Sequence, residues 1–309
     1  MKKALITGVN GFCGQCLVRR LIYEGVENIY GIDINTESKK PISLTEFFQM
    51  DITEETRVSQ LLKSIQPDYI FHLAGIHQGS PQKIYSVNVL GSIHLLENVR
   101  QFSPQTHVLL IGSAAEYGHV PLAELPVTED HICNPYGSHA ISKYAVTLAA
   151  REYVDNYGLK VIVARPFNII GAGVPPSLLV GAILKRAKQA LLDSGDPEIV
   201  VGNLDTERDF IAVDDAVDAY TRLLLNYHTA GVFNICSGTP RSVRSVVEEL
   251  LSYAPRSIRL KVSPSLIRPN DVKIVYGSWE KINHTIGFKP QTILSDALRA
   301  AWDYEMESD

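Results

Sequence analysis

A short apolar run, Ala4-Leu5-Ile6, passes through Thr7 into Gly8-Val9-Asn10-Gly11-Phe12-Cys13-Gly14, and an amphipathic stretch follows at once. A G-x-x-G-x-x-G between a strand and a helix is a demanding constraint. Its glycines let the chain turn tightly and bring backbone N–H groups against a pyrophosphate at a helix N-terminus. Such a turn belongs in a parallel sheet, and the first half of the chain supplies one. Continuous runs rich in Val, Ile and Leu at 4–7, 29–34, 69–73, 108–111 and 161–164 read as strands buried on both faces. Amphipathic stretches at 12–23, 56–64, 82–100 and 141–157 read as the helices between them. This alternation predicts an α/β fold, a doubly wound parallel sheet whose strand carboxyl ends share one ligand-binding edge.

After Pro166 the rhythm loosens. Residues 171–176 are rich in Gly and Pro and read as a loop. Helices are predicted at 178–192, 243–251 and 293–304, and a strand at 232–236. The expected division is a dinucleotide-binding domain over 1–167 and a smaller, irregular substrate lobe over 168–309, with some segments returning to the first domain.

Asp33 ends the second strand, 19 residues after Gly14. A carboxylate there accepts both hydroxyls of an adenosine ribose and repels a 2′-phosphate, so NAD is the predicted cofactor rather than NADP. Asp51-Ile52 reads either as a contact to the adenine edge or as a turn. Net charge is −5 with no basic block, which leaves nucleic acid without a partner surface. No apolar run nears the roughly 20 residues of a membrane helix, and glycine interrupts the N-terminus too soon for a signal peptide. Four cysteines in 309 residues suit a reducing cytoplasm. Cys13-Gly14-Gln15-Cys16 has the C-x-x-C spacing but no second pair nearby, so it reads as small buried side chains, and no metal site is expected.

Together with His72-Leu73-Ala74-Gly75, Asn88-Val89-Leu90-Gly91, Ser113 through Gly118 and Arg165-Pro166-Phe167-Asn168, these features resemble the extended short-chain dehydrogenase/reductases that modify nucleotide sugars. The resemblance implies a Rossmann fold. It implies cofactor contacts from Gly8, Asn10, Gly11, Phe12, Cys13, Gly14, Asp33, Asp51, Ile52, Leu73, Ala74, Gly75, Lys143 and Pro166. It also implies a homodimer through the helices at 82–100 and 141–157. Val201-Gly202-Asn203-Leu204-Asp205, Arg208-Asp209-Phe210, Asn234-Ile235-Cys236-Ser237-Gly238 and Arg268-Pro269 look like the GDP-sugar branch. Within it the likeness is to GDP-4-keto-6-deoxy-D-mannose reductases, with GDP-mannose 4,6-dehydratases further off. On that resemblance Asn168, Arg208 and Arg268 hold the diphosphate and its sugars, in keeping with guanidinium as a partner for diphosphate oxygens. The alternative for the arginines is a surface salt bridge.

The family's chemistry uses Ser or Thr, a Tyr, and a Lys four residues later on the same helix face. Counting back from Gly118 places the hydroxyl at Ser113, and the Ser-Lys ending is Ser142-Lys143. Four residues before Lys143 stands His139 instead of tyrosine. Three readings compete. His139 acts as acid/base, since neutral imidazole is competent near its unperturbed pKa of about 6.5 and a neighbouring Lys⁺ favours the neutral form. Alternatively the loop rearranges and Tyr136 supplies the phenol. In the third, the protein binds NAD and a nucleotide sugar without turnover. An ordinary histidine in an unrelated helix is the bland alternative to all three. Ala114 and Ala115 occupy the places where dehydratases carry an acid, and Glu116 comes one place late, which counts against a 4,6-dehydratase. Asp33 departs from the NADPH preference of the reductase relatives; it suits redox-neutral epimerisation and is compatible with an NADH-using reductase. The expected activity is NAD(H)-dependent hydride transfer at a ring carbon, C4, of a GDP-linked hexose, of reductase or epimerase type.

Overall fold

The computed structural model describes residues 2–36, 43–226, 230–266 and 272–308. Its larger layer is a parallel sheet of seven strands: β1 (Lys3–Thr7), β2 (Asn28–Asp33), β3 (Glu46–Gln49), β4 (Tyr69–His72), β5 (His107–Ile111), β6 (Lys160–Pro166) and, after three short strands of the second lobe, β10 (Gly231–Ile235). The order across the sheet is β10-β6-β5-β4-β1-β2-β3, and every neighbouring pair is parallel. The chain winds outward from β1 to β3, then crosses back to β4 and winds the other way. The reversal between β1 and β4 opens a crevice at the strand carboxyl ends, where such sheets bind ligands.

Helices cover both faces, which explains the unbroken apolar strands. On β1, Ala4 and Ile6 face α1 (Phe12–Tyr23), α7 (Val213–Asn226) and α9 (Glu280–Ile286), while Leu5 faces α2 (Glu55–Ile65), α4 (Gly91–Phe102) and α5 (Gly137–Tyr157). α5 begins four residues before the predicted 141, because Gly137, at φ 82°, turns the chain into it early. The segment predicted as one helix over 82–100 is continuous but not uniform. α3 (Pro81–Tyr85) passes through a π turn (Ser86–Leu90) into α4. Turns of this kind are frequent at functional sites, and this one carries the buried Asn88.

The second lobe is more regular than its sequence rhythm suggests. β9 (Glu207–Ala212) is its central strand, paired with β7 (Asn168–Ile170) and β13 (Ile274–Val275) in parallel and with β11 (Pro240–Ser242) antiparallel. β8 (Glu198–Val201) pairs with β12 (Arg259–Val262). α6 (Leu179–Leu192), α8 (Val243–Ser252) and α10 (Leu294–Glu307) close a separate apolar core around them. Three segments of the second half return to the large sheet: β10 at its edge, α7, whose Leu223 and Leu224 are fully buried, and α9, whose Ile282 joins the same core. Each such side chain contributes about 1.5–3 kcal/mol of burial. Among the described residues no helix is long and apolar enough to cross a membrane.

Candidate active site

The glycine turn closes so tightly that side chains are excluded. A Cβ on Gly14 would lie 2.4 Å from the Gly8 carbonyl oxygen and 2.5 Å from that of Val9. Gly8 has φ 71°, and a Cβ there would meet the Ala74 nitrogen at 2.9 Å. Gly8 and Val9 donate to the Ile32 carbonyl, and Gly11 donates to Gly8, so the turn is locked onto β2. α1 opens at Gly11, which has no side chain to cap it. Phe12, Cys13 and Gly14 form its first turn, with backbone N–H groups uncapped at the crevice. A glycine cradle leading to an uncapped helix N-terminus fits a dinucleotide diphosphate.

Asp33 ends β2 beside this turn, 8% exposed. Its two carboxylate oxygens accept the backbone N–H groups of Asn10 and Asn35, each at 3.0 Å, and the Asn10 amide donates to the Asn35 carbonyl. The carboxylate is therefore held in place at the strand end. Asp51 caps its own turn by accepting from the Thr53 backbone N–H and hydroxyl, and Ile52 is buried against Gly91. Pro166 ends β6 opposite Ile235. Burial pushes the Cys13 thiol up to about 12, with Cys16 adding to it, so Cys13 is held as a neutral thiol.

Thr7 pins the next segment: its carbonyl accepts from Leu73 and its hydroxyl oxygen from Ala74. A buried hydrogen-bond chain then runs from Thr7 to α5. Ser92 donates to the Asn88 carbonyl at 2.6 Å, so it accepts from His72 Nε2, and His72 Nδ1 takes the Thr7 hydroxyl at 2.7 Å. Burial lowers the His72 pKa to about 3, with Lys143 acting in the same direction. The Asn88 amide donates to Ser142 Oγ at 2.9 Å, and Ser142 donates to the His139 carbonyl at 2.7 Å. Asn88 also clamps Ile76 through its N–H and C=O, both at 2.8 Å.

Lys143 reaches the carboxyl end of β5, just before Ser113, and shares a face of α5 with His139. Lys143 Nζ donates at 2.8 Å to the carbonyl of Ile111, the last residue of that strand and two before Ser113. A Cβ on Gly75 would lie 3.2 Å from that nitrogen, so a glycine lets the chain pass close by. His139 lies one helical turn before Lys143, in the first turn of α5. Burial draws its pKa down to about 4, with the Lys143 charge and then His77 adding to the effect. Burial likewise lowers Lys143 to about 8, against the pull of the Glu116 carboxylate. Ser113 caps a 3-10 turn (Ala114–Tyr117), its Oγ accepting from Ala115 at 3.1 Å; the hydroxyl hydrogen remains available to donate. Tyr136 precedes the helix, with extended backbone and 76% exposure.

Sequence reasoning missed the group behind Ser113. Glu116 is completely buried; one oxygen takes the Ser113 N–H at 2.7 Å, and the other takes Thr147 Oγ1 and Arg165 Nε, each at 2.8 Å. Arg165 stacks on Tyr117, whose hydroxyl donates to Asn234. The signal was the spacing: His139, Lys143 and Thr147 recur every four residues along α5.

On the substrate side, β7 and β9 place Asn168 opposite Phe210, two residues beyond Arg208. The Asn168 amide donates to the Asp209 carbonyl at 2.7 Å, and half-buried Arg208 donates to the Glu207 carbonyl at 2.8 Å. Asp209 itself is fully buried and gathers Ser237, Gly238 and Gly277. Arg268 lies outside the described residues. Among the described residues no group of three or more His, Cys, Asp or Glu stands together to hold a metal.

The chain is 29% identical over 308 residues to GDP-6-deoxy-D-mannose reductase of Pseudomonas aeruginosa, covering 97% of this chain and 95% of the relative. It is 26% identical to GDP-6-deoxy-D-talose 4-dehydrogenase of Aggregatibacter actinomycetemcomitans, covering 92% and 91%. Among solved structures, RMD from Pseudomonas aeruginosa complexed with NADPH superposes with a TM-score of 0.83 at 27% identity, covering 99% of both chains. Thermus thermophilus UDP-glucose 4-epimerase with NAD shares the fold at a TM-score of 0.87 and 24% identity, covering 99% of this chain and 100% of that one. With the family model of NAD dependent epimerases/dehydratases matching residues 4–236, the chain belongs to that family.

Proposed function

We propose that this enzyme transfers hydride at C4 of a GDP-linked hexose, with His139 as the acid/base, Ser113 as hydrogen-bond donor to the reacting oxygen and Lys143 as the cation that holds the nicotinamide ribose. The carrying observation is the bond from Lys143 to the end of β5, at the carboxyl edge of the sheet, with His139 one helical turn away on the same face of α5. The bound dinucleotide supplies or accepts the hydride. In the oxidising direction neutral His139 takes the proton of the sugar hydroxyl; in the reducing direction it returns one to the carbonyl oxygen. Lys143 favours the neutral imidazole before the proton arrives.

The turn from Gly8 to Gly14 holds the diphosphate, and Asp33 takes the adenosine ribose hydroxyls, which supports NAD over NADP. Residues 1–167 serve the dinucleotide. Residues 168–309, apart from segments that return to the large sheet, serve the nucleotide sugar, whose diphosphate falls to Asn168 and Arg208. The GDP assignment draws support from the two GDP-sugar relatives. Exposed Leu90, Ile141 and Leu148 near and on α4 and α5 support a homodimer through those helices. Four free cysteines suit the cytoplasm. Redox-neutral epimerisation is the second reading, favoured by Asp33.

The test is incubation with NAD(H) or NADP(H) and a panel of GDP-, UDP- and dTDP-sugars, including 4-keto-6-deoxy forms. Wild type is compared with His139→Ala and Tyr136→Phe. Turnover lost in His139→Ala and kept in Tyr136→Phe is expected. The reverse pattern moves the acid/base to Tyr136, and cofactor binding with no product from any sugar means a binding protein.

A further inference from the structure

We infer that His77 is the second imidazole of a proton relay, carrying protons between His139 and solvent; this rests on the reading of His139 as acid/base. The two rings stand edge to face, with centroids 6.2 Å apart and planes at 83°. His77 follows Gly75, the residue beside Lys143 Nζ, in a loop whose next members Gln78, Gly79 and Ser80 are exposed. The loop thus reaches from the catalytic lysine to the surface.

The His77 tautomer follows from its other contact. Nε2 lies 3.3 Å from the Ser177 carbonyl, which can only accept. Nε2 therefore carries the hydrogen, and Nδ1 is the nitrogen that gains and loses a proton. The bond to Ser177 survives in both states, so His77 changes charge without losing its anchor on the second lobe.

The need for a relay comes from His139 itself. Lys143, one turn along α5, and His77, from the loop, both act against charge on it, in addition to burial. A group kept neutral in this way is a ready base but seldom carries the proton that reduction requires. Lys143 donates to the Ile111 carbonyl and, in the proposed function, holds the nicotinamide ribose as a cation. In reduction, hydride forms the C–H bond and the His139 proton goes to the carbonyl oxygen, giving the hydroxyl. His139 then takes a proton from the His77 imidazolium, and solvent recharges His77. In the relay a bridging water carries the proton between the two rings. Oxidation runs the same path outward.

His77→Ala, His77→Gln and His139→Ala in the full chain test the relay. Gln keeps a donor for Ser177 but cannot relay a proton. Both His77 variants are expected to lose about tenfold to a hundredfold in kcat, with KM and dinucleotide affinity within about twofold. Added imidazole should restore much of the loss in His77→Ala. In an NMR titration without cofactor, either His77 variant should raise the His139 pKa. Wild-type kcat in both His77 variants overturns the relay. So does an imidazole-insensitive loss with altered KM, which would mark a structural tie to Ser177, or an unmoved His139 titration. Activity retained in His139→Ala sinks the acid/base reading instead, whatever His77 does.

Discussion

Glu116 accepts the backbone N–H of Ser113 at 2.7 Å from a position with no solvent exposure. The proposed catalytic hydroxyl therefore hangs on a buried ion. That ion is balanced by Arg165 at 2.8 Å, whose side chain is 4% exposed. Burial works against charge on Arg165, yet Glu116 and Tyr117 keep its pKa raised. A pair of this kind adds little net stability, but losing one partner strands the other charge.

Glu116→Gln is expected to destabilise the fold by about 3–5 kcal/mol, because an amide cannot neutralise Arg165. Arg165→Met in the same chain should recover part of that loss by removing the stranded cation. Urea denaturation of the two single variants and the double variant measures it. Additive losses would mean that the two side chains do not act as a pair. The same Gln should also lower kcat, since its amide competes with the acceptor that fixes the Ser113 turn.

The pH profile has a sign set by two depressed groups. Oxidation needs neutral His139, which is lost as pH falls through about 4, and charged Lys143, which is lost as pH rises through about 8. A bell with those limbs is expected for kcat/KM in the oxidising direction. Lys143→Arg should remove the alkaline limb, because guanidinium stays charged. An alkaline limb unchanged in that variant would assign it to another group.

Asp33 sets the cofactor prediction. Its carboxylate is held by the Asn10 and Asn35 N–H groups at the end of β2, and a carboxylate at that place in such a fold disfavours a 2′-phosphate. Asp33→Asn should raise the NADP⁺/NAD⁺ ratio of kcat/KM by at least about tenfold, equivalent to ~1.4 kcal/mol. A ratio that stays put would take discrimination away from this residue.

The first half of the fold was legible because strands buried on both faces must be apolar throughout; β4, Tyr69–His72, is buried at every residue. Helix α1 shows the same through its glycine start. The helix at 213–226 lies beyond the sequence reading, although buried Val213, Ala216, Val217, Tyr220, Leu223 and Leu224 carry the 3.6-residue spacing. β11 and β13 have three and two residues, too short for any period to show. At the site, Ser113, His139 and Lys143 could be counted from motifs along the chain. The roles of His77 and Arg165 could not, since each reaches the site from another segment, and Thr147 shares the α5 face but takes its meaning from Glu116, which lies on the turn after β5.

His72 predicts how the protein responds to acid. It is 3% exposed and neutral between Thr7 and Ser92, with a folded pKa of about 3 against about 6.5 for a free imidazole. Above pH 6.5 neither state binds its proton, so it adds no pH dependence. As pH falls below 6.5 the unfolded chain gains a proton that the folded chain refuses, and stability drops by up to about 1.4 kcal/mol per pH unit until about 3. His72→Asn is less stable at pH 7 by about 1–3 kcal/mol, since the bond to Ser92 is lost. Its disadvantage should shrink on acidification, because the titrating group is gone while His139 is common to both chains. Urea denaturation between pH 7 and 4.5 follows the gap. Curves that stay parallel would show that the buried His72 site takes up a proton as readily as the unfolded chain.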